Sequence, residues 1–167
     1  MHKQIIESKI FLAKESLVHL LNQWRFLQKK IVFTNGCFDI LHLGHIDYLS
    51  KAADMGDVLI VGLNSDRSVS EIKGEKRPIN NETSRAHVLA ALSLVAVVVL
   101  FDESTPYEVI KFIQPDVLVK GADYKIEDIV GSDILKAKGG KVEAIDLLSG
   151  YSTSAIEQKI VENHTKG

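Results

Sequence analysis

A single cysteine, Cys37, stands among 167 residues, so an internal disulfide is excluded and a reducing setting is implied. A signal peptide is missing as well. The opening MHKQIIESKIFLAKES interleaves charged with apolar residues, where a secretory leader would carry a continuous apolar core. No stretch approaches the roughly 20 apolar residues that a membrane-spanning helix needs. Twenty Lys and Arg against 22 Asp and Glu leave a net charge of -2. The cations are spread out rather than massed, so the footprint that attracts a duplex or an anionic membrane is absent. Repeats, low-complexity tracts and linkers are absent too. These absences predict a soluble cytoplasmic protein with neither nucleic acid nor membrane as partner.

What is present is a 46% hydrophobic composition, ample for one core of this length. From Lys3 to Gln28, the residues Ile6, Ile10, Leu17, Leu20, Leu21 and Trp24 recur at helical spacing. This predicts one amphipathic helix, an extension over residues 1–29 that packs on the domain at 30–167 or on a second copy in a homodimer. Short apolar runs then follow at Ile31 to Thr34, Val58 to Leu63, Val95 to Phe101, Val117 to Val119 and Val142 to Ile145, with helix-like stretches between them. That alternation predicts an α/β fold, a Rossmann-like doubly wound parallel sheet of five strands with helices on both faces. The run at Val95 to Phe101 lacks polar alternation and reads as central. Ser104-Thr105-Pro106 reads as a helix start, and the polar stretch from Ile72 to Asn81 as a mobile loop over the site.

The densest chemistry lies in Asn35-Gly36-Cys37-Phe38-Asp39-Ile40-Leu41-His42-Leu43-Gly44-His45, where the first strand hands over to a helix. In an open α/β sheet, phosphates bind at such a place, beyond the carboxyl ends of the strands and against helix N–H groups. His42 and His45, three apart, project from one face of a first helical turn, and Gly44 between them permits close approach of a ligand. Paired histidines also bind zinc, but no Cys, Asp or Glu stands at the spacing that completes a tetrahedral set. Taken alone, the loop allows a metal, a nucleotide or ordinary loop histidines. A second element, Gly150-Tyr151-Ser152-Thr153-Ser154, follows the last strand with more hydroxyls than one N-cap needs. The pair suggests two helix N-termini gripping one polyphosphate. Because no Gly-x-Gly-x-x-Gly follows the first strand, a dehydrogenase is disfavoured.

A strand followed by GxFDxxHxGH and a late triplet of hydroxyls resembles the cytidylyltransferase-like nucleotidyltransferase superfamily. The likeness extends from Ile31 to Ile160. Within it, FTNGCFDILHLGH, VGLNSDRSV, KGEKRPIN, RAHVLAAL, FDESTP, PDVLVKGADY and GYSTSAI are similar to the D-glycero-β-D-manno-heptose 1-phosphate adenylyltransferases. This resemblance implies transfer of AMP from ATP to a sugar 1-phosphate, with Mg2+ accompanying the triphosphate and no metal ligand of the protein named. His42 and His45 would stabilise the charge, and Lys73 and Lys120 would hold phosphates. Asn35, Gly36, Cys37, Phe38, Asp39, Gly44, Lys120, Gly150, Tyr151, Ser152, Thr153 and Ser154 would contact the nucleotide. Lys73, Arg77, Arg85 and Asp123 would contact the sugar phosphate. Many relatives fuse this module behind a sugar kinase; here one helix precedes it, so a separate kinase is the expected supplier of the sugar phosphate. Leu147-Leu148-Ser149-Gly150 stands where glycerol-phosphate cytidylyltransferases have Arg-Thr-Glu-Gly, which favours adenine over cytosine. The alternatives are a CTP-dependent cytidylyltransferase of a polyol or sugar phosphate, and a catalytically idle nucleotide-binding module.

Overall fold

The computed structural model describes residues 1–122 and 126–165. In chain order the elements are α1 (His2–Glu7), β1 (Ile10–Phe11), a 3-10 turn (Lys14–Leu17), α2 (Val18–Phe26), β2 (Ile31–Gly36), α3 (Leu43–Ala53), β3 (Val58–Asn64), α4 (Asp66–Lys73), α5 (Glu82–Ala90), β4 (Val97–Phe101), α6 (Tyr107–Ile113), β5 (Val117–Gly121), a 3-10 turn (Ile126–Asp128), α7 (Ser132–Lys138), β6 (Lys141–Ile145) and α8 (Thr153–Thr165). All strand pairs are parallel, in the order β1-β4-β3-β2-β5-β6.

The inner strands begin as unbroken apolar runs because both faces of the sheet are covered there, while the edge strand β6 alternates Lys141 and Glu143 with apolar residues. Side chains of one strand alternate between two cores. Val32, Leu59, Val61, Val98, Val117 and Val119 join Tyr48 and Leu49 of α3 and Leu89 of α5. Ile31, Phe33, Ile60, Val97, Val99 and Leu118 join Leu17, Leu21 of α2, Ile110 of α6 and Leu135 of α7 on the other face. From β2 the chain winds outward through β3 and β4, then crosses back to β5 on the opposite side of β2. The strand order therefore reverses between β2 and β5. A crevice opens beyond their carboxyl ends.

The N-terminal segment departs from the single helix expected. It breaks into two helices around β1, which pairs Ile10 with Val98 and Phe11 with Val99 and gives the sheet a sixth strand instead of the expected five. The open edge of β4 outweighs local helical periodicity here. Lys9 adds a further tie, its Nζ donating to the carbonyls of Ala90, Leu92 and Val95 at 3.1, 3.3 and 2.9 Å beyond the end of α5. A second difference bears on the site: Lys73 is the last residue of α4 rather than part of the following loop.

Candidate active site

β2 delivers the chain into the crevice at Asn35 and Gly36. Phe38 then adopts a left-handed φ of 44°, an uncommon conformation for a non-glycine residue and one that clusters at functional loops. His42 occupies the N-cap of α3 and makes no side-chain cap; its carbonyl accepts from the N–H groups of His45 and Ile46 at 2.9 and 3.3 Å, so the N–H groups of Leu43 and Gly44 are those left for another acceptor. The His42 and His45 rings stack with centroids 3.9 Å apart and planes inclined at 27°. Phe38 lies against His45 at 5.4 Å. Both imidazole Nδ1 atoms are buried without a hydrogen-bond partner among the described residues. Burial, then the neighbouring His42, pulls the His45 pKa down to about 4, and burial lowers that of His42. At neutral pH both rings are therefore uncharged, each with one N–H and one lone pair.

Gly44 also serves the packing of its own surroundings. A Cβ there would lie 3.0 Å from the His42 Nδ1 and 3.1 Å from the Tyr151 Cβ, so the glycine lets the segment before α8 close onto α3. At α8, Ser152 Oγ accepts from the Ala155 N–H at 3.1 Å, which uses one hydroxyl of the triplet as the cap. Thr153 and Ser154 line the same cavity as the histidines.

That cavity is about 690 Å3 and runs across the strand ends, a size typical of small-molecule sites. Asn35, Gly36, Cys37, Phe38, Asp39, His42, Gly44, His45, Lys73, Arg77, Lys120, Tyr151, Ser152, Thr153 and Ser154 all border it. Gly150 does not, and its φ of 82° shapes the turn into α8 instead. Asp123 lies outside the described residues. Lys120 Nζ donates to the Asn35 carbonyl at 3.4 Å, which holds its cation at the β2–β5 reversal point.

Arg85 is a correction. Its side chain is fully buried on α5, with Nε donating to the Asn80 carbonyl, Nη1 to the Cys37 carbonyl at 2.6 Å, and Nη2 to the Asn64 carbonyl and Asp66 carboxylate. It does not border the cavity and is committed to holding the loop that precedes α3. The resemblance assigned it to the sugar phosphate, but only the fold shows four acceptors waiting for it. Arg77 is likewise engaged, its Nη1 2.8 Å from Asp39 and 2.5 Å from Glu157. Asp39 accepts from the backbone N–H groups of Ile79 and Asn80 as well, tying the 74–81 loop to the histidine loop. Burial raises the Cys37 thiol, against a reactive role.

On the β3–β4 side, the lining includes Asn64, Val69, Ile72, Ser104, Thr105 and Pro106. Sequence reasoning took Ser104-Thr105-Pro106 only as a helix start. Asn64 is the last residue of β3 and Ser104 stands shortly after the end of β4, and that place at the carboxyl ends of central strands was the signal available. Among the described residues no group of three His, Cys, Asp or Glu could hold a metal ion.

Residues 33–159 match the model of a family described as cytidylyltransferase-like. The bifunctional protein HldE of Campylobacter jejuni subsp. doylei is 60% identical over 148 residues, 89% of this chain and 31% of that protein. That of Syntrophotalea carbinolica is 50% identical over 166 residues, 99% of this chain and 34% of that protein. The chain thus spans about a third of the length of these curated relatives. Among solved structures, a lipopolysaccharide core biosynthesis protein from Thermoplasma volcanium is 30% identical with a TM-score of 0.58, covering 74% of this chain and 99% of that one. A pantoate-β-alanine ligase from Francisella tularensis has a TM-score of 0.61 at 19% identity, covering 92% of this chain and 77% of that one, a likeness of fold alone.

Proposed function

The chain belongs to the cytidylyltransferase-like family, and from that premise we propose that it transfers AMP from ATP to a sugar 1-phosphate, D-glycero-β-D-manno-heptose 1-phosphate, giving ADP-heptose and pyrophosphate. The observation that carries this reading is the pair of buried, unpartnered imidazole Nδ1 atoms at an uncapped helix N-terminus, across a cavity from a second, hydroxyl-bearing one. Buried polar atoms without partners are rare, and a polyphosphate supplies what these lack.

A phosphate oxygen of the sugar phosphate, ionised at neutral pH, attacks the α-phosphorus of ATP in line. The new P–O bond forms as the bond to the β-phosphate oxygen breaks, and pyrophosphate leaves with that electron pair. No general base is needed, so the protein contributes positioning and electrostatics. His42, His45 and the α3 N–H groups face the charge that builds on the α-phosphate. A polyanion drawn against the two imidazoles raises their proton affinity, so they can donate as cations when substrate is bound. Thr153, Ser154 and Lys120 hold the remaining nucleotide oxygens, and Lys73 the acceptor phosphate. Leu147, Leu148 and Tyr151 border the cavity and offer an adenine an apolar face. Magnesium would be held by triphosphate oxygens and would screen the leaving group. The same reading has the enzyme act in the cytoplasm, as a homodimer, on a sugar phosphate supplied by a kinase active site.

Pyrophosphate release should appear with ATP plus the β-anomer of the heptose 1-phosphate, and mass detection should find ADP-heptose. Equal turnover with CTP would sink the adenylyl assignment, and failure with every heptose would redirect the acceptor.

A further inference from the structure

α8 carries Thr153 and Ser154 to the cavity but contributes no residue to either hydrophobic core. Apolar packing therefore does not set the angle at which those hydroxyls face His42 and His45. The turn before it carries Gly150 at a φ of 82° and seats Tyr151 against Gly44 of α3, which places the start of the helix at one point. Arg77 reaches α8 from the 74–81 loop. Its Nη1 lies 2.5 Å from Glu157 Oε1 and 2.8 Å from Asp39 Oδ2. Asp39 is itself immobilised: its side chain is 7% exposed, and it accepts from the N–H groups of Ile79 and Asn80, while Asn80 Nδ2 donates to its carbonyl at 2.8 Å. A chain of charge-assisted bonds thus runs from the histidine loop through Asp39 and Arg77 to α8.

Glu157 follows Thr153 by four residues and Ser154 by three, the spacings that place side chains on one helix face. Holding Glu157 therefore fixes the rotation of α8 about its axis, and with it where the two hydroxyls point. We infer that Glu157 is a positioning residue for nucleotide binding, and that its ion pair with Arg77 aims the α8 N-terminus at the phosphates bound by the histidine loop. Arg77 is then a strut and not a phosphate ligand. The role in nucleotide binding rests on the ATP reading above; the tie between Arg77 and α8 does not.

Glu157→Gln separates the two roles for Arg77, since it keeps the side-chain shape and leaves the Arg77 cation in place and freer. As a strut, Glu157→Gln and Arg77→Gln should each weaken ATP binding about 5-fold, the scale of a half-buried ion pair, and the double variant should be no worse than either alone. Amide hydrogen exchange from Ala155 to Gln158, measured on the full chain without nucleotide, should quicken in both variants and stay unchanged in a Glu7→Gln control on α1. Unchanged exchange in Glu157→Gln would overturn the tie. ATP affinity kept or improved in Glu157→Gln but reduced in Arg77→Gln would overturn the strut and make Arg77 a direct ligand. Failure of the wild-type chain to bind ATP would instead count against the adenylyl reading, with the exchange measurement still deciding the tie.

Discussion

α3 and α8 bring their N-termini to one cavity on different foundations. α3 buries Gly44, Tyr48, Leu49 and Ala52, and the loop before it is held by Arg85 and Asp39. α8 buries nothing in the two cores and is reached by a half-buried ion pair. Under the proposed reaction this division has a purpose. Donors that stabilise transition-state charge act only if they need no reorganisation, which demands a rigid base. A helix that grips a leaving pyrophosphate has to release it, and a lightly fastened one does so more easily.

The comparison breaks most visibly if the rigid side is not rigid because of Arg85. Arg85→Met should lower unfolding free energy by about 3 kcal/mol, because it removes the donor of Asp66 and of three carbonyls, the buried one of Asn64 and the part-buried ones of Cys37 and Asn80; urea unfolding measures this. A loss below about 1 kcal/mol would mean the loop has another foundation. Next in size is the rate. His45→Ala should lower kcat on the order of a hundredfold, the cost of one well-aimed donor, while ATP still binds.

His45 also leaves a signature in stability. Its folded pKa, near 4, lies below the unfolded value of about 6.5, so between those limits the unfolded chain binds the proton and the folded one does not. Stability is thus complete above pH 6.5 and falls as pH drops toward 4. The ring is only partly buried, so the loss attributable to it is about 1–2 kcal/mol after solvent screening. Subtracting the pH profile of His45→Asn from the wild-type profile isolates it, and identical profiles would refute the depressed value.

Much of this arrangement is legible in the sequence, for a physical reason. A strand that hands over to a helix at the carboxyl edge of the sheet gathers its polar residues at fixed spacings, so Asn35 to His45 and Tyr151 to Ser154, which border the cavity, announce themselves. The β/α alternation is equally plain, because parallel strands buried on both faces stay apolar until their carboxyl ends, where Thr34 and Asn64 stand. What escaped depends on contacts distant in sequence. The break at Ile10 comes from the open edge of β4, and Arg85 looks like any helical cation until Cys37, Asn64 and Asp66 converge on it. Gly44 invites a ligand in the sequence; in the fold it borders the cavity and also makes room for Tyr151. Asn64, Ser104 and Thr105 have the composition of caps, so their place on the cavity wall depends on the sheet that puts β3 and β4 side by side.

The smallest effect tests the light side of the comparison. Ser152 Oγ is the cap of α8, and Ser152→Ala should cost that helix about 1 kcal/mol. Because α8 adds no residue to either core, that cost should stay local. Exchange at the first turn of α8 should quicken about 5-fold and ATP binding weaken by a similar factor, with the global urea midpoint unmoved. If the midpoint fell as far as in Arg85→Met, α8 would be part of the cooperative fold and the two N-termini would rest on one foundation. If exchange quickened and ATP affinity held, the α8 hydroxyls would not grip the nucleotide, and the histidine loop would bear the phosphates alone.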